Sequence, residues 1–219
     1  MSVDLSHVNT WLFDLDDTLY PSESGLMAEI ERRMTDFVMR ALGLPREEAY
    51  RLQKDYLVEH GITLLGLMRH HGVDPVEFAD AYVDISLDIL AHDPALVAAI
   101  AALPGRRLVF TNADQRHAER VLTRLGLTAV FDDVFHIASF DYTPKPDPAV
   151  FARMCAEHDL DPRAAVFFED SERNLKPAAD LGMTTVLVGP RAAASTAPFV
   201  HHRTRHLAPF LRAARLRSS

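Results

Sequence analysis

The sequence predicts an α/β protein whose Rossmann-like parallel sheet carries a helical cap inserted after the first strand. After residue 104, short apolar runs alternate with amphipathic helix patterns, whereas the stretch before it has helix patterns without convincing strands. Strands that alternate with helices are joined by right-handed crossovers, which make the sheet parallel. We therefore expect an α/β hydrolase-type core of residues 1–18 and 104–219 and a helical cap of residues 19–103.

Five apolar runs are the candidate strands, and they are rich in the β-branched and aromatic side chains typical of buried strands. They cover residues 8–15, 108–110, 134–137, 164–168 and 184–188. The helix patterns between them cover residues 115–125, 148–158 and 172–181. In residues 23–103 apolar side chains recur at intervals of three and four, and breaks with Gly and Pro divide this stretch into four or five helices.

Composition and charge narrow the class of protein. The 219 residues carry a net charge of −8, so general nucleic-acid binding is not expected. Residues 190–219 contain six arginines and no acidic residue. That segment is either a nucleic-acid or membrane arm or, as we favour, a closing segment that docks on an acidic body, with a short amphipathic helix at 206–216.

The expected location is the cytoplasm. Cys155 is the single cysteine, so no internal disulfide can form, which is typical of a reducing compartment. The first residues lack the basic flank and apolar core of a signal peptide. No apolar run has the length of a membrane span, so no membrane partner is expected.

Polar side chains follow four of the predicted strands, at the point where each strand ends. In a parallel sheet these ends share one edge, beyond which ligands bind. The side chains in question are Asp14, Asp16 and Asp17, then Thr111 and Asn112, then Lys145, and finally Glu169 and Asp170.

This set fits phosphoryl chemistry. Asp14 and Asp170 can bind Mg²⁺, which prefers one or two carboxylates together with substrate oxygens and water. Beside a metal, Asp14 can attack phosphorus, and Asp16 can protonate the leaving oxygen and then activate water. Thr111 can bind phosphoryl oxygens, and Lys145 can neutralise their charge and orient Asp14.

Each element also has a simpler explanation. The Asp14–Asp16 pair alone is typical of a turn or cap, Thr111 of a strand end, and Glu169–Asp170 of an acidic helix N-terminus. Lys145 is more informative, because only three lysines occur among 23 Lys and Arg residues. A lysine in a chain that prefers arginine indicates a need for a compact ammonium group.

The four motifs, Asp14-Leu-Asp-Asp-Thr-Leu19, Thr111-Asn112, Lys145-Pro146 and Glu169-Asp170, resemble those of the haloacid dehalogenase-like hydrolase superfamily. The resemblance implies that Asp14 is the nucleophile and Asp16 the acid/base, with Mg²⁺ as cofactor. It also implies that the metal is bound by Asp14, Asp170 and the main-chain carbonyl of Asp16, with Glu169 binding directly or through water. The helical insert resembles the cap of one branch of the superfamily.

A narrower resemblance concerns the substrate. The segments FDLDDTLYPSESGL, HGITLLGLM, LVFTNADQRHAERVLTRLGL and FFEDSERNLKPAADLGMTTVLVG resemble the pyrimidine 5′-nucleotidase family. This implies a nucleoside monophosphate as the small phosphorylated partner, contacted by Thr111, Asn112, Lys145 and Tyr20, with its base against residues 61–67. Residues 84–88 depart from that family's pattern.

Other functions stay open. A sugar-phosphate or phosphoglycolate phosphatase, a phosphomutase and a dehalogenase are alternatives on the same fold, and a catalytically silent binding module is the alternative outside enzymes. Asp16 favours ester hydrolysis over dehalogenation, because a departing halide needs no proton. The intact set of motif residues argues against a silent module.

The histidines are scattered along the sequence and predict no metal site. His70 and His71 have no partner at ligand spacing, and we expect most histidines to be surface residues. The residues considered are His60, His70, His71, His117, His201 and His202.

Overall fold

The computed structural model describes residues 3–216, and its centre is a parallel sheet. Six strands form the sheet: β1 (Thr10–Phe13), β2 (Arg106–Phe110), β3 (Asp133–Phe135), β4 (Ala165–Glu169), β5 (Thr184–Val188) and β6 (His202–Thr204). Their spatial order is β3-β2-β1-β4-β5-β6, and every pairing is parallel. The α/β fold predicted from the alternating pattern is therefore confirmed.

The strand register brings the motif-bearing ends together. Phe13, the last residue of β1, pairs with Val109 of β2 and Phe168 of β4. The N–H of Asp14 then donates to the carbonyl of Phe168 at 2.9 Å. Asp14 consequently leaves the sheet between two neighbouring strands, whose own last residues end at the same edge.

Nine α-helices accompany the sheet in residues 3–216. Five lie between β1 and β2: α1 (Leu26–Leu42), α2 (Arg46–His60), α3 (Thr63–His71), α4 (Pro75–Asp80) and α5 (Pro94–Ala101). Four follow: α6 (Gln115–Leu125), α7 (Pro148–Glu157), α8 (Glu172–Asp180) and α9 (Leu207–Ala213). The helical character predicted for residues 23–103 is confirmed, and so is the short helix predicted near the C-terminus.

The sheet divides the apolar core into two layers, because successive side chains of a strand point to opposite faces. On one face, Phe13 and Phe168 stack with ring centroids 4.7 Å apart, and the insert helices pack onto this layer. On the other face, Phe110 packs edge-to-face against Phe151 of α7, at 5.0 Å between centroids. Buried aromatic pairs on both faces thus hold the strands that carry the site.

The arginine-rich C-terminal segment docks on the body of the protein. Leu207, Ala208 and Leu211 of α9 are buried, and α9 packs against α5. Arg205 forms an ion pair with Glu23 at 2.8 Å. These contacts favour the closing segment over a free arm. Arg217 lies outside the described residues.

The same segment adds a strand that the sequence analysis missed. The three residues of β6, His202–Thr204, are all partly exposed and polar, so they show neither an apolar run nor an alternation. They pair with β5 at the sheet edge. Within residues 3–216, no helix is both long and apolar enough to cross a membrane.

Three arginines of α6 bind residues 80–88, the part of the insert that leads back towards β2. Arg116 forms an ion pair with Asp80 at 2.7 Å. Arg120 donates to the carbonyls of Val83 and Ile85, and Arg124 donates to the carbonyls of Leu87 and Asp88. Because the three arginines are spaced four residues apart, they lie on one face of α6. Residues 80–88 are thus held against the core.

Candidate active site

A cavity of about 500 Å³ lies beyond the carboxyl ends of β1, β2 and β4, between the sheet edge and helices α1–α4. All predicted site residues except Tyr20 line it. They are Asp14, Asp16, Thr111, Asn112, Lys145, Glu169 and Asp170. The parallel register therefore brings together motifs that are separated by up to 156 positions, from Asp14 to Asp170.

Lys145 lies at the floor of the cavity and is only 1 % exposed. Its ammonium donates to Asp14 Oδ1 at 2.7 Å, to Glu169 Oε2 at 2.8 Å and to the carbonyl of Phe110 at 2.7 Å. An ammonium has three donors and here has three acceptors, so it is fully satisfied. Burial alone would lower the pKa of Lys145, but the carboxylates of Asp14 and Glu169 raise it above its ordinary value.

Asn112 holds the main chain of Lys145. Its Oδ1 accepts from the N–H of Lys145 at 2.8 Å, and its Nδ2 donates to the carbonyl of Lys145 at 3.1 Å. The side-chain amide thus forms a two-point clamp between the end of β2 and the loop after β3. The structure gives Asn112 a positioning contact, while a contact with substrate stays a prediction.

Three carboxylates converge beside Lys145. Ligand oxygens of Asp14, Glu169 and Asp170 lie within 4.8 Å of one another. Burial, reinforced by Glu169, raises the pKa of Asp14 to about 7. Burial likewise raises the pKa of Glu169 to about 7 and that of Asp170 to about 6, with neighbouring carboxylates adding to each. The site therefore holds more negative charge than Lys145 alone balances.

This donor set fits Mg²⁺, because hard carboxylate oxygens are its preferred protein ligands and a divalent cation would relieve their repulsion. A further buried oxygen supports the fit, since Asp17 also lines this cavity and its buried Oδ1 has no hydrogen-bond partner among residues 3–216. Glu169 already uses both oxygens, one for Lys145 and one for the N–H of Ser171 at 3.1 Å.

Asp16 is held by two side chains at once. Its Oδ1 accepts from the Tyr20 hydroxyl at 2.6 Å and lies 2.8 Å from His117 Nε2. Burial alone would raise the pKa of Asp16, but His117 and the Tyr20 hydroxyl hold it below its ordinary value. Burial would likewise lower the pKa of His117, and Asp16 raises it. Tyr20 is itself buried and lies outside the cavity lining, behind Asp16.

His117 is the site residue that the sequence analysis missed. We expected a surface histidine, yet its side chain is 3 % exposed. The signal was present in the helix pattern, because His117 lies on the apolar face of α6 with Val121 and Leu125. Its N–H is capped by Asp114, the residue before α6, and the Asp114 carboxylate accepts from Tyr82 at 3.0 Å.

The insert supplies the opposite wall of the cavity. Gly61 ends α2 with φ +83°, and a Cβ there would lie 3.1 Å from Pro144 Cγ, so the hairpin turn fits closely against the Lys145 loop. The residues next to it, Ile62 and Thr63, face the cavity. Most other wall residues from the insert are apolar, and Gln53 and Glu31 are the exceptions. The apolar ones include Met27, Ile30, Met34, Phe78 and Tyr82.

With this geometry defined, comparison with known proteins identifies the family. A family model described as haloacid dehalogenase-like hydrolase matches residues 8–182. The chain belongs to the haloacid dehalogenase-like hydrolases. The superfamily predicted from the four motifs is therefore confirmed, and hydrolases of this family are generally Mg²⁺-dependent.

Two curated proteins are similar in sequence to this hydrolase. The chain is 28 % identical over 193 residues to phosphate metabolism protein 8 of Saccharomyces cerevisiae, covering 81 % of this chain and 60 % of the yeast protein. It is 30 % identical over 195 residues to the glyceraldehyde 3-phosphate phosphatase of Methanopyrus kandleri, covering 81 % of this chain and 82 % of that protein. The chain thus spans less than two thirds of the yeast relative's length.

A solved structure supports the fold of the hydrolase. A HAD phosphatase from Thermococcus onnurineus superposes with a TM-score of 0.65 at 21 % identity, covering 94 % of this chain and 96 % of that one. At this identity the likeness concerns the fold alone.

Proposed function

We propose that this hydrolase is a Mg²⁺-dependent phosphomonoesterase that works through a phosphorylated Asp14. One observation carries the proposal: the Asp14 carboxylate is fixed by the buried Lys145 ammonium at 2.7 Å, on the floor of a cavity that Asp16 and Asp170 also line. A carboxylate fixed in this way can act as a nucleophile on an anionic phosphoryl group only where positive charge offsets the repulsion, and Lys145 supplies part of that charge.

The residues have complementary roles in two steps. In the first, an Asp14 oxygen bonds to phosphorus, the ester P–O bond breaks, and Asp16 gives the leaving oxygen the proton that it took from water in the preceding turnover. In the second, Asp16 takes a proton from water, the water oxygen bonds to phosphorus, and the Asp14–phosphorus bond breaks to release phosphate. Acid and base thus alternate on one carboxyl group.

Asp14, Asp170 and the main-chain carbonyl of Asp16 would hold Mg²⁺, with Glu169 binding directly or through water. When bound, the ion supplies charge that offsets the negative phosphoryl oxygens. Thr111 supplies a hydrogen bond to the same oxygens. Its Oγ1 accepts from the N–H of Ala113 at 3.0 Å, which orients the hydroxyl and leaves its own proton to donate.

For the substrate we propose a pyrimidine nucleoside 5′-monophosphate. The resemblance to pyrimidine 5′-nucleotidases supports it, and so does the chemistry of the insert wall. A nucleobase has apolar faces and polar edges, which suits a wall of Met, Ile and Phe side chains interrupted by Gln53. Within residues 3–216, the Nε2 of Gln53 has only the sulfur of Met34 as acceptor, at 3.9 Å, so it is available to donate to a base carbonyl.

A triose or sugar phosphate is the second candidate. The relative described as a glyceraldehyde 3-phosphate phosphatase favours it. Such a substrate would leave the apolar insert wall largely uncovered. The presence of Asp16 disfavours a dehalogenase, for which halide release would be the test, and a phosphomutase would transfer phosphate to a sugar instead of water.

Phosphate release in Mg²⁺ buffer tests both levels of the proposal. For UMP and CMP we expect kcat/KM to exceed that for AMP, GMP and glyceraldehyde 3-phosphate by at least about tenfold, or about 1.4 kcal/mol. Equal rates for all esters would rule out the nucleotide assignment and leave the phosphatase assignment intact.

Asp14→Asn should leave less than about one hundredth of the activity, because an amide does not attack phosphorus. A folded Asp14→Asn variant with greater activity would rule out Asp14 as the nucleophile.

A further inference from the structure

A second group of ligand-type side chains lies on the helical hairpin formed by α2 and α3. The end of α2 brings Glu59 and His60 next to His70 in the last turn of α3. One ligand atom from each of the three lies within 4.8 Å of the others. The sequence analysis found no partner for His70, because the partner comes from the facing helix ten residues earlier.

The spacing of these atoms matches one tetrahedral ion. His60 Nε2 lies 3.1 Å from His70 Nε2 and 3.7 Å from Glu59 Oε1. In a tetrahedral zinc site with bonds of about 2.0–2.1 Å, neighbouring ligand atoms are about 3.3 Å apart. These two distances bracket that value, and the third, between His70 and Glu59, is at most 4.8 Å, so side-chain shifts of an ångström or so would place all three atoms around one ion.

The surroundings orient the two imidazoles. The ring of Tyr56 stacks on His70 with centroids 5.4 Å apart and an interplanar angle of 14°. The Tyr56 hydroxyl lies 2.7 Å from His71 Nε2, so the neighbouring histidine is directed elsewhere. His60 ends α2, where the partial negative charge of the helix C-terminus favours a cation.

We propose that Glu59, His60 and His70 form a binding site for Zn²⁺, with water as the fourth ligand. Two imidazole nitrogens and one carboxylate oxygen suit zinc, whereas the all-oxygen donors Asp14 and Asp170 in the cavity suit magnesium. The two sites therefore favour different metal ions because their ligand atoms differ. Glu59 is exposed, with 64 % of its side chain accessible, so an ion can enter from solvent.

The position of the site gives it a consequence for the cavity. Between the zinc ligands runs the turn Gly61–Ile62, which packs against the Lys145 loop and lines the cavity. An ion bound by His60 and His70 would tie the end of α2 to α3 on both sides of this turn. Zinc would therefore stiffen the cavity wall that the insert supplies.

The test is a zinc titration of the full chain against a chromophoric chelator, in excess Mg²⁺ so that the carboxylates of the cavity are occupied. We expect one zinc per chain and a rise in melting temperature. His60→Gln and His70→Gln should each weaken zinc binding at least about tenfold, because each removes one of three protein ligands. His71→Gln is the matched control and should bind zinc as the wild type does.

Three results would overturn the site: no zinc bound by the wild type, undiminished binding in both His60→Gln and His70→Gln, or an equal loss in His71→Gln. Melting in EDTA shows whether each variant folds. If a variant is unfolded, the absorption of Co²⁺ bound to the wild type decides instead. A tetrahedral spectrum displaced by zinc supports the site, and an octahedral spectrum rejects it.

Discussion

At the residue scale, the contacts of the buried Lys145 side chain explain why this position holds a lysine and not an arginine. Its three acceptors surround one compact ammonium, and the chain otherwise prefers arginine, with three lysines among 23 basic residues. A guanidinium is larger and planar, and its five donors cannot match three acceptors arranged around a single nitrogen. The sequence preference and the geometry therefore have one explanation.

Lys145→Arg should destabilise the protein by about 2 kcal/mol or more, since the larger group overfills a closed pocket and leaves donors unpaired. It should also lower kcat at least about tenfold by displacing Asp14. Denaturant unfolding and phosphate release measure the two effects. Lys176→Arg is the matched control, because Lys176 is exposed and pairs with Asp180 along α8. Equal behaviour of the two variants would contradict the argument.

Asp16→Asn tests the proton role at the same scale. A nucleoside leaving group needs a proton, whereas p-nitrophenolate leaves largely without one. We expect the variant to lose about a hundredfold in kcat on a nucleoside monophosphate and far less on p-nitrophenyl phosphate. A similar loss on both substrates would mean that Asp16 supports the metal site only.

His117 should act through Asp16. His117→Ala removes the contact with Asp16 at 2.8 Å. It should lower kcat on nucleoside monophosphates about tenfold, a tenth of the loss expected for Asp16→Asn, and leave KM little changed. His117→Gln offers an amide donor in place of Nε2 and should recover part of the rate. A purely structural role predicts instead that both substrates lose rate equally and that Gln gives no recovery.

At the element scale, helices α2 and α3 form a hairpin whose packing depends on one small residue. A Cβ on Gly66 of α3 would lie 2.3 Å from Cγ of Tyr56 on α2. Neither helix can yield easily, because the same Tyr56 also contacts His70 and His71. The glycine thus sets how closely the two helices approach.

Gly66→Ala should destabilise the protein by about 1–3 kcal/mol through this overlap, although alanine favours a helix more than glycine does. Thermal or denaturant unfolding measures it. Leu65→Ala, at the neighbouring position of α3, is half-exposed and should cost less. A stabilised Gly66→Ala variant would show that helix propensity outweighs the packing of Tyr56.

The elements also show what a sequence can and cannot predict. Apolar runs such as 164–168 predicted strands because burial imposes a pattern, whereas β6 is polar, partly exposed and held by its pairing with β5. The motif residues could be placed because each follows a strand. The contact of His117 with Asp16 joins positions 101 residues apart, and no local pattern records such a pairing.

At the scale of the whole molecule, core and insert together enclose the site, and the carboxylates of the core set its charge balance. The carboxylates beside Lys145 have raised pKa values, of about 7 for Asp14 and about 6 for Asp170, because burial and mutual repulsion disfavour their charged forms. A divalent cation would restore those forms at neutral pH. Metal supply should therefore control the whole reaction.

EDTA should abolish activity, and Mg²⁺ should restore it, whereas Ca²⁺ should support it poorly. Calcium takes more ligands at longer distances than the site's compact carboxylates provide, which would misplace Asp14 relative to phosphorus. Phosphate release after exhaustive dialysis measures this. Full activity in EDTA would contradict the proposed cofactor.

The arginines of α6 have a mechanical consequence for how a substrate reaches the cavity. Residues 80–88 are held on α6 by one ion pair and by four hydrogen bonds from arginine side chains to main-chain carbonyls. At the Gly61 turn, on the other flank of the insert, Arg173 donates one hydrogen bond to the carbonyl of Gly61 at 3.3 Å. Fewer polar contacts would therefore have to break on the Gly61 flank, and the insert would rotate about an axis beside α6. The entrance for a phosphate ester would then open on the Gly61 flank, beside the loop that carries Lys145, and the ammonium itself would be reached only at the floor of the cavity.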